Sequence, residues 1–257
     1  MKKKFIKLIK LKKQRPIVSL TAYSKPISKL IDKYCDIILV GDSVGTAFYG
    51  MKDTKNVTID MIIQHAMSVK LGSQKSICVV DMPYKTYQNK KEAKKNANKI
   101  IKETKCDAIK IESNGRNYDL IKHLVKSGIP VMGHIGFTPQ YKKNFKPQGV
   151  TEQEKLRLIK DASNIEKAGA FSIVLECITA AVAKKISENL KIPTIGIGSS
   201  KFCDGQILVI DDILGLSGFY PKFVKKYATL DKIIAISVQR YRKEVIKRKF
   251  PKRKNSY

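Results

Sequence analysis

No run in this chain stays apolar for the roughly 18 residues that a bilayer-crossing helix requires. The opening Met1-Lys-Lys-Lys-Phe-Ile-Lys-Leu-Ile-Lys10 is positive, but Lys recurs every two or three residues and leaves no apolar core for a secretory signal. A soluble, cytoplasmic protein with no membrane partner is expected. Cysteine is sparse and unpatterned. Cys35, Cys78, Cys106, Cys177 and Cys203 are odd in number, show no C-x-x-C spacing, and several sit in apolar runs where a free thiol packs as a small hydrophobe. This argues against a zinc or disulfide framework and suits a reducing compartment. No linker-like stretch and no internal repeat divides the chain, so one domain over 1–257 is expected. It carries a basic N-terminal segment (about 1–15) and a basic tail (247–257) expected to be disordered.

Acidic residues are few. Against 51 Lys and Arg stand 22 Asp and Glu, a formal charge of +29. Such an excess ordinarily points to a polyanion partner. Arginine, however, is confined to Arg15, Arg116, Arg157, Arg240, Arg242, Arg248 and Arg253, whereas nucleic-acid readers favour its bidentate fork. The lysines are spread over every expected helix and both ends rather than along one stripe. The excess therefore reads as solvated surface that attracts small anions, and no specific nucleic-acid partner is expected.

What is present is alternation. Strand-like runs occur at Ile17–Ala22, Ile37–Asp42, Ser76–Asp81, Ala108–Glu112, Pro130–Gly136, Phe171–Cys177 and Pro193–Gly198, with a weaker eighth near Ile207–Ile210. Most are continuously apolar, as parallel strands covered on both faces are. Between them lie amphipathic stretches at Lys25–Tyr34, Thr58–Leu71, Lys90–Thr104, Tyr118–Lys126, Glu152–Ala168, Thr179–Asn189 and Asp231–Lys249. About eight β-then-α units in a chain of this length predict a closed (β/α)8 barrel. An open Rossmann sheet is disfavoured because no Gly-rich dinucleotide fingerprint follows the first strand.

Polar residues recur at the strand ends: Asp42 and Ser43, Asp81, Lys110 and Glu112, His134, Glu176, and Gly198-Ser199. In a parallel barrel these ends gather at one mouth, where barrel enzymes keep their active sites. One carboxylate there is adequately explained by a helix cap or a Lys pair. Asp42, Asp81 and Glu112 at successive strand ends point instead to a metal, and hard oxygen ligands without Cys or a second His suit Mg²⁺ better than Zn²⁺. Magnesium takes only one or two direct carboxylates, so at least one of the three should bind through water. Glu176 lies among apolar neighbours, which raises a carboxyl pKa and suits a general base; a buried pair with a Lys is the plainer alternative. Lys110 and Glu112 share a strand face by alternation. Lys110 is a candidate for pairing Glu112 or holding a substrate carboxylate, and His134 for donating to a bound oxyanion or for a purely structural role. His65 and His123 fall on helices and read as structural.

Taken together, Val40-Gly-Asp-Ser-Val-Gly45, Asp81-Met-Pro83, Lys110-Ile-Glu112, Gly133-His-Ile-Gly-Phe-Thr-Pro-Gln140, Val174-Leu-Glu-Cys177, Ile195-Gly-Ile-Gly198, Asp204-Gly-Gln-Ile-Leu-Val209 and Pro221-Lys-Phe223 resemble, in order and spacing, the motifs of ketopantoate hydroxymethyltransferases. The resemblance spans about Pro16 to Tyr241. It implies a TIM barrel of the phosphoenolpyruvate mutase/isocitrate lyase type and a homo-oligomer, often a decamer. By position it assigns Asp42, Asp81 and Glu112 to Mg²⁺, and Asp42, Ser43, Asp81 and Lys110 to the ketoacid. Glu176 matches the catalytic base, and 5,10-methylenetetrahydrofolate would be the one-carbon donor to α-ketoisovalerate. The sequence departs from the family pattern at Ser113-Asn114, at Ser199-Ser200 and in a shortened loop over 140–149 that helps cover the mouth. Two other functions compete with this one. A lyase of the same superfamily acting on another ketoacid would be expected to carry a nucleophilic Cys motif that is missing here. A polyanion binder using the basic tail would keep its hold on heparin or DNA at physiological salt.

Overall fold

The computed structural model describes residues 3–12, 14–142 and 145–257. Positions 1, 2 and 13 of the basic N-terminal segment, and 143 and 144 of the 140–149 loop, lie outside the described residues. The chain divides into two compact units, Met1–Val209 and Ile210–Tyr257, at a boundary marked by no linker composition.

The first unit holds eight strands: β1 (Ile17–Thr21), β2 (Ile37–Val40), β3 (Ile77–Asp81), β4 (Ala108–Glu112), β5 (Val131–Gly136), β6 (Ser172–Glu176), β7 (Thr194–Ile197) and β8 (Gly205–Leu208). Each runs parallel to the next and β8 returns to β1, closing the expected barrel. β2 to β6 are buried at every residue, which is why they read as unbroken apolar runs. β8 begins at Gly205, two residues before the expected run.

Helices α1 (Lys3–Leu11), α2 (Lys25–Ile31), α3 (Val44–Ala47), α4 (Ile59–Gly72), α5 (Lys90–Thr104), α6 (Tyr118–Lys126), α7 (Glu152–Lys167) and α8 (Ala180–Asn189) complete this unit. α5 begins where the Asn89 side chain accepts from the Glu92 amide, and α7 where Thr151 and Glu154 form a reciprocal capping box. β7 and β8 are joined by 198–204, with no helix between them among the described residues.

α1 was not anticipated as a helix. Phe5, Leu8 and Leu11 recur at helical spacing and are buried. They join the inward-facing layer that includes Ile17, Ile37, Ile77, Phe171 and Ile207, and the Phe5 and Phe171 rings lie 4.6 Å apart. These partners sit at the strand starts, so α1 closes the end of the barrel opposite the mouth. Lys3, Lys7 and Lys10 are exposed, and the half-buried Lys4 pairs with Asp107 at 3.5 Å.

In the second unit, α9 (Ile210–Leu214) is followed by α10 (Leu230–Ile246), which buries none of its residues. The basic tail carries a short 3₁₀ turn at Arg253–Asn255. No described helix is long and apolar enough to cross a membrane.

Candidate active site

Strand register assembles the site. Asp81 of β3 pairs with Lys110 of β4, Glu112 of β4 with His134 of β5, and Gly136 of β5 with Glu176 of β6. Side chains alternate along a strand, so Lys110 and Glu112 point to the same side as these partners. Lys110 Nζ lies 2.9 Å from Asp81 Oδ1 and 3.4 Å from His134 Nδ1. His134 Nδ1 is 3.6 Å from Glu112 Oε1. Its Nε2 is 3.1 Å from Glu176 Oε2, close although not aligned for a full hydrogen bond. The Asp42 amide donates to Asp81 Oδ2 at 3.0 Å. Ser43 Oγ shares a 2.7 Å hydrogen bond with Tyr23 OH. All six sequence-derived ionisable residues, Asp42, Asp81, Lys110, Glu112, His134 and Glu176, are buried together.

Glycine makes room at one corner. Gly136 adopts φ 99°, and a Cβ there would stand 2.1 Å from the Glu176 carbonyl oxygen. The following residue, Cys177, takes a left-handed φ of 53°. Its amide is tied to Ile197 O and its carbonyl accepts from the Gln148 amide. Glu176 is thus held at a sharp turn by neighbours on both sides.

The electrostatics are lopsided: four buried carboxylates face one ammonium and one imidazole. Burial raises the Asp42 carboxyl well above its ordinary range, and repulsion from Asp81 and Glu112 adds to this. Burial also pushes Glu112 up to about 8, against the pull of Lys110. Burial would lower Lys110, but Asp81, Glu112 and Asp42 outweigh it and raise it. His134 is lowered by burial and by Lys110, which keeps the ring neutral. A neutral ring that accepts at Nδ1 from Lys110 carries its proton on Nε2, facing Glu176. Glu176 is raised by burial, with His134 opposing.

These residues fit a divalent cation. Asp81 Oδ1 is a buried oxygen that meets the Lys110 ammonium, and the four carboxylates exceed the positive charge that could balance them. Among the described residues no three His, Cys, Asp or Glu side chains already converge as a metal cage. Magnesium, which completes its octahedron with water, does not need one.

Sequence reasoning passed over Gln140, although it closes the motif that begins at Gly133. Its amide nitrogen donates to Glu112 Oε2 at 3.0 Å, and its Nε2 donates to Asp42 Oδ2 at 2.8 Å and to Met82 O at 3.0 Å. Tyr87 OH donates to its Oε1. One loop residue therefore grips two of the three candidate metal carboxylates. His65, by contrast, is engaged by Tyr23 O and Tyr49 OH.

The profile of the ketopantoate hydroxymethyltransferase family matches residues 2–253. The chain belongs to the ketopantoate hydroxymethyltransferase family. The 3-methyl-2-oxobutanoate hydroxymethyltransferase of Pelagibacter ubique (strain HTCC1062) is 50% identical over 257 residues, covering 100% of both chains. That of Bartonella tribocorum is 47% identical over 96% of this chain and 92% of the relative. Among solved structures, a phosphonopyruvate hydrolase complexed with oxalate and Mg²⁺ superposes with a TM-score of 0.59 at 13% identity, covering 98% of this chain and 93% of the other. A phosphoenolpyruvate phosphomutase from Streptomyces platensis gives 0.62 at 11%, covering 95% and 88%. At those identities the likeness is one of fold, the closed parallel barrel that this chain shares with them.

Proposed function

We propose that this chain transfers a hydroxymethyl group from 5,10-methylenetetrahydrofolate to 3-methyl-2-oxobutanoate (α-ketoisovalerate), giving 2-dehydropantoate for pantothenate biosynthesis. The observation that carries this reading is the single buried cluster of Asp42, Asp81, Lys110, Glu112, His134 and Glu176 at the mouth of the barrel, in a chain of this family. Glu176 is the base. Its raised pKa makes it a better proton acceptor than an exposed carboxylate, and the His134 Nε2–H steadies the ionised form. It takes the C3 proton of the ketoacid; water breaks the two C–N bonds of the donor's methylene bridge, freeing the carbon at the aldehyde level, and the enolate carbon bonds to it while the new alkoxide oxygen takes back the proton. One water is consumed overall and tetrahydrofolate is released. Lys110 and the Ser43 hydroxyl hold the ketoacid's carboxylate. Asp42, Asp81 and Glu112 would hold Mg²⁺, which when bound supplies Lewis-acid stabilisation of developing enolate charge, worth several kcal/mol. We also place the protein in the cytoplasm as a homo-oligomer, by family resemblance a decamer, which sedimentation would test.

The decisive experiment follows exchange of the ketoacid's C3 hydrogen for deuterium by proton NMR, without any donor. Exchange that needs Mg²⁺, stops with chelator and is lost in Glu176→Gln is expected. Exchange at the uncatalysed rate with folded, magnesium-supplied protein would overturn the reading.

A further inference from the structure

A cleft of about 920 Å³ opens beside the cluster. It is lined by segments that follow three strand ends: 84–91, a loop and the first residues of α5, after β3; 114–120, a loop and the first residues of α6, after β4; and Tyr141 after β5. It therefore lies on the mouth side of the barrel. Its inner wall is Tyr87, whose hydroxyl donates to the Gln140 side chain that in turn donates to Asp42. Asn117, also in the wall, donates to the Glu112 carbonyl at 2.9 Å. The cleft is thus one side chain away from the carboxylates, yet far larger than a five-carbon ketoacid needs. Its size matches the sites of drug-sized ligands, roughly 300–1,000 Å³.

Two chemistries share it. Tyr84 and Tyr141 meet edge to face, ring centroids 6.0 Å apart at 81°, and with Tyr87 make an aromatic wall. Such a wall suits flat rings, which stack on tyrosine faces. Lys85, Lys90, Lys91 and Arg116 stand around it, exposed, against one acid, Asp119. Among the described residues none of the four is paired with a carboxylate. The aromatic and basic groups are neighbours, Lys85 Nζ lying 5.6 Å from the Tyr84 ring centroid, and together they suit a carrier that joins flat rings to several negative charges, as a pterin–aminobenzoate with a glutamate tail does. We propose that this cleft seats the one-carbon donor, its rings against Tyr84 and Tyr141 and its tail carboxylates on Lys85, Lys90, Lys91 and Arg116. This rests on the proposed function, in which the donor is a folate, and adds where it binds and which tail it prefers.

The test compares tetrahydrofolate bearing one and three glutamates by titration calorimetry on the full chain. In the wild type the triglutamate should bind about tenfold more tightly at low salt, an advantage that shrinks as salt rises. The triple variant Lys85→Glu, Lys91→Glu, Arg116→Glu should abolish that advantage. A control of equal charge change elsewhere, Lys29→Glu, Lys33→Glu, Lys75→Glu, should keep it. Tyr84→Ala should weaken both ligands about tenfold, and Tyr84→Phe should restore them, because the ring and not the hydroxyl does the stacking. Since all the charged positions are exposed, unchanged melting temperatures are the check on folding. A triple variant that retains the triglutamate advantage, or a control that loses it equally, overturns the location while wild-type turnover of methylenetetrahydrofolate leaves the proposed function standing. A wild type that exchanges the ketoacid hydrogen but neither binds nor uses the folate overturns both the donor assignment and the cleft.

Discussion

Gln140→Met is the substitution that most directly tests how the carboxylates are held. Methionine keeps the length and bulk of the buried side chain but removes its amide. The backbone N–H to Glu112 survives, because it belongs to the main chain. Three contacts vanish: to Asp42 Oδ2, to Met82 O and from Tyr87 OH. The bond to Asp42 matters most, since a hydrogen bond to a charged group contributes about 1.5–3 kcal/mol. It also opposes the burial that raises the Asp42 carboxyl, so its loss favours the protonated form further. Removing a partner that orients a metal carboxylate typically weakens metal binding about 10- to 100-fold, or roughly 1.4–2.7 kcal/mol. Titration with Mn²⁺ as a spin-active stand-in for Mg²⁺, followed by electron paramagnetic resonance at neutral pH, measures this directly. A cooperatively folded variant that binds Mn²⁺ as the wild type does would refute the argument. Tighter binding would refute it too, because the amide would then be competing with the cation rather than orienting its ligand.

Three further outcomes are expected. Phe5→Ala leaves a cavity against Phe171 and should cost about 3–5 kcal/mol in urea denaturation; a loss below about 1 kcal/mol would mean that α1 is not part of the barrel's stable core. Asp32 accepts from the amides of Gln74, Lys75 and Ser76, and these bonds, against the opposing burial, hold its carboxyl at about 2. A depressed folded pKa stabilises above the unfolded value near 4 and is lost as pH falls toward 2. Asp32→Asn should therefore remove about 2 kcal/mol of acid-sensitive stability, seen as a flatter acid-denaturation curve. Glu112, at about 8, must lose its proton before binding metal. Affinity for Mg²⁺ should rise with pH up to about 8, by at most about tenfold per unit for this one proton, and then level. The metal-free protein should lose stability over the same range, because the unfolded chain releases that proton from about pH 4.5 upward while the fold retains it; metal affinity independent of pH between 6 and 8 would contradict the assignment of Glu112.

The barrel was legible because its strands are covered on both faces, so Ile37–Val40 and Ile77–Val80 stand out as apolar runs, the first ending at Gly41-Asp42 and the second at Asp81. Asp81, Glu112 and Glu176 were legible for the same reason, since each closes such a run, while Lys110 and His134 interrupt theirs from within. α1 was not read as a helix because its lysines dominate the composition of the first eleven residues, although Phe5, Leu8 and Leu11 carry the spacing. What they dock on is a tertiary fact: the open lower end of a barrel that exists only once the sheet has closed. The early start of β8 was hidden by Gly205 and Gln206, which lack strand character. Gly205 is required there because a Cβ would come within 2.6 Å of Ile17 O on the adjoining strand. Gln140 and the tyrosines of the cleft were missed because loop residues follow no periodicity.

Register is where fold and chemistry become inseparable. Lys110 and Glu112 reach the cluster because β4 pairs residue for residue with β3 and β5. A slip of one residue would turn both outward among the helices and bring Ile109 and Ile111 to the mouth. Both isoleucines are fully buried against the outer layer, so that slip would strand two charges in apolar surroundings as well as empty the site. Charges so placed are costly unless paired. The apolar faces of Ile109 and Ile111 therefore select the one register in which Lys110 meets Asp81 and Glu112 meets His134, and packing on the outside of the barrel enforces the geometry of the mouth.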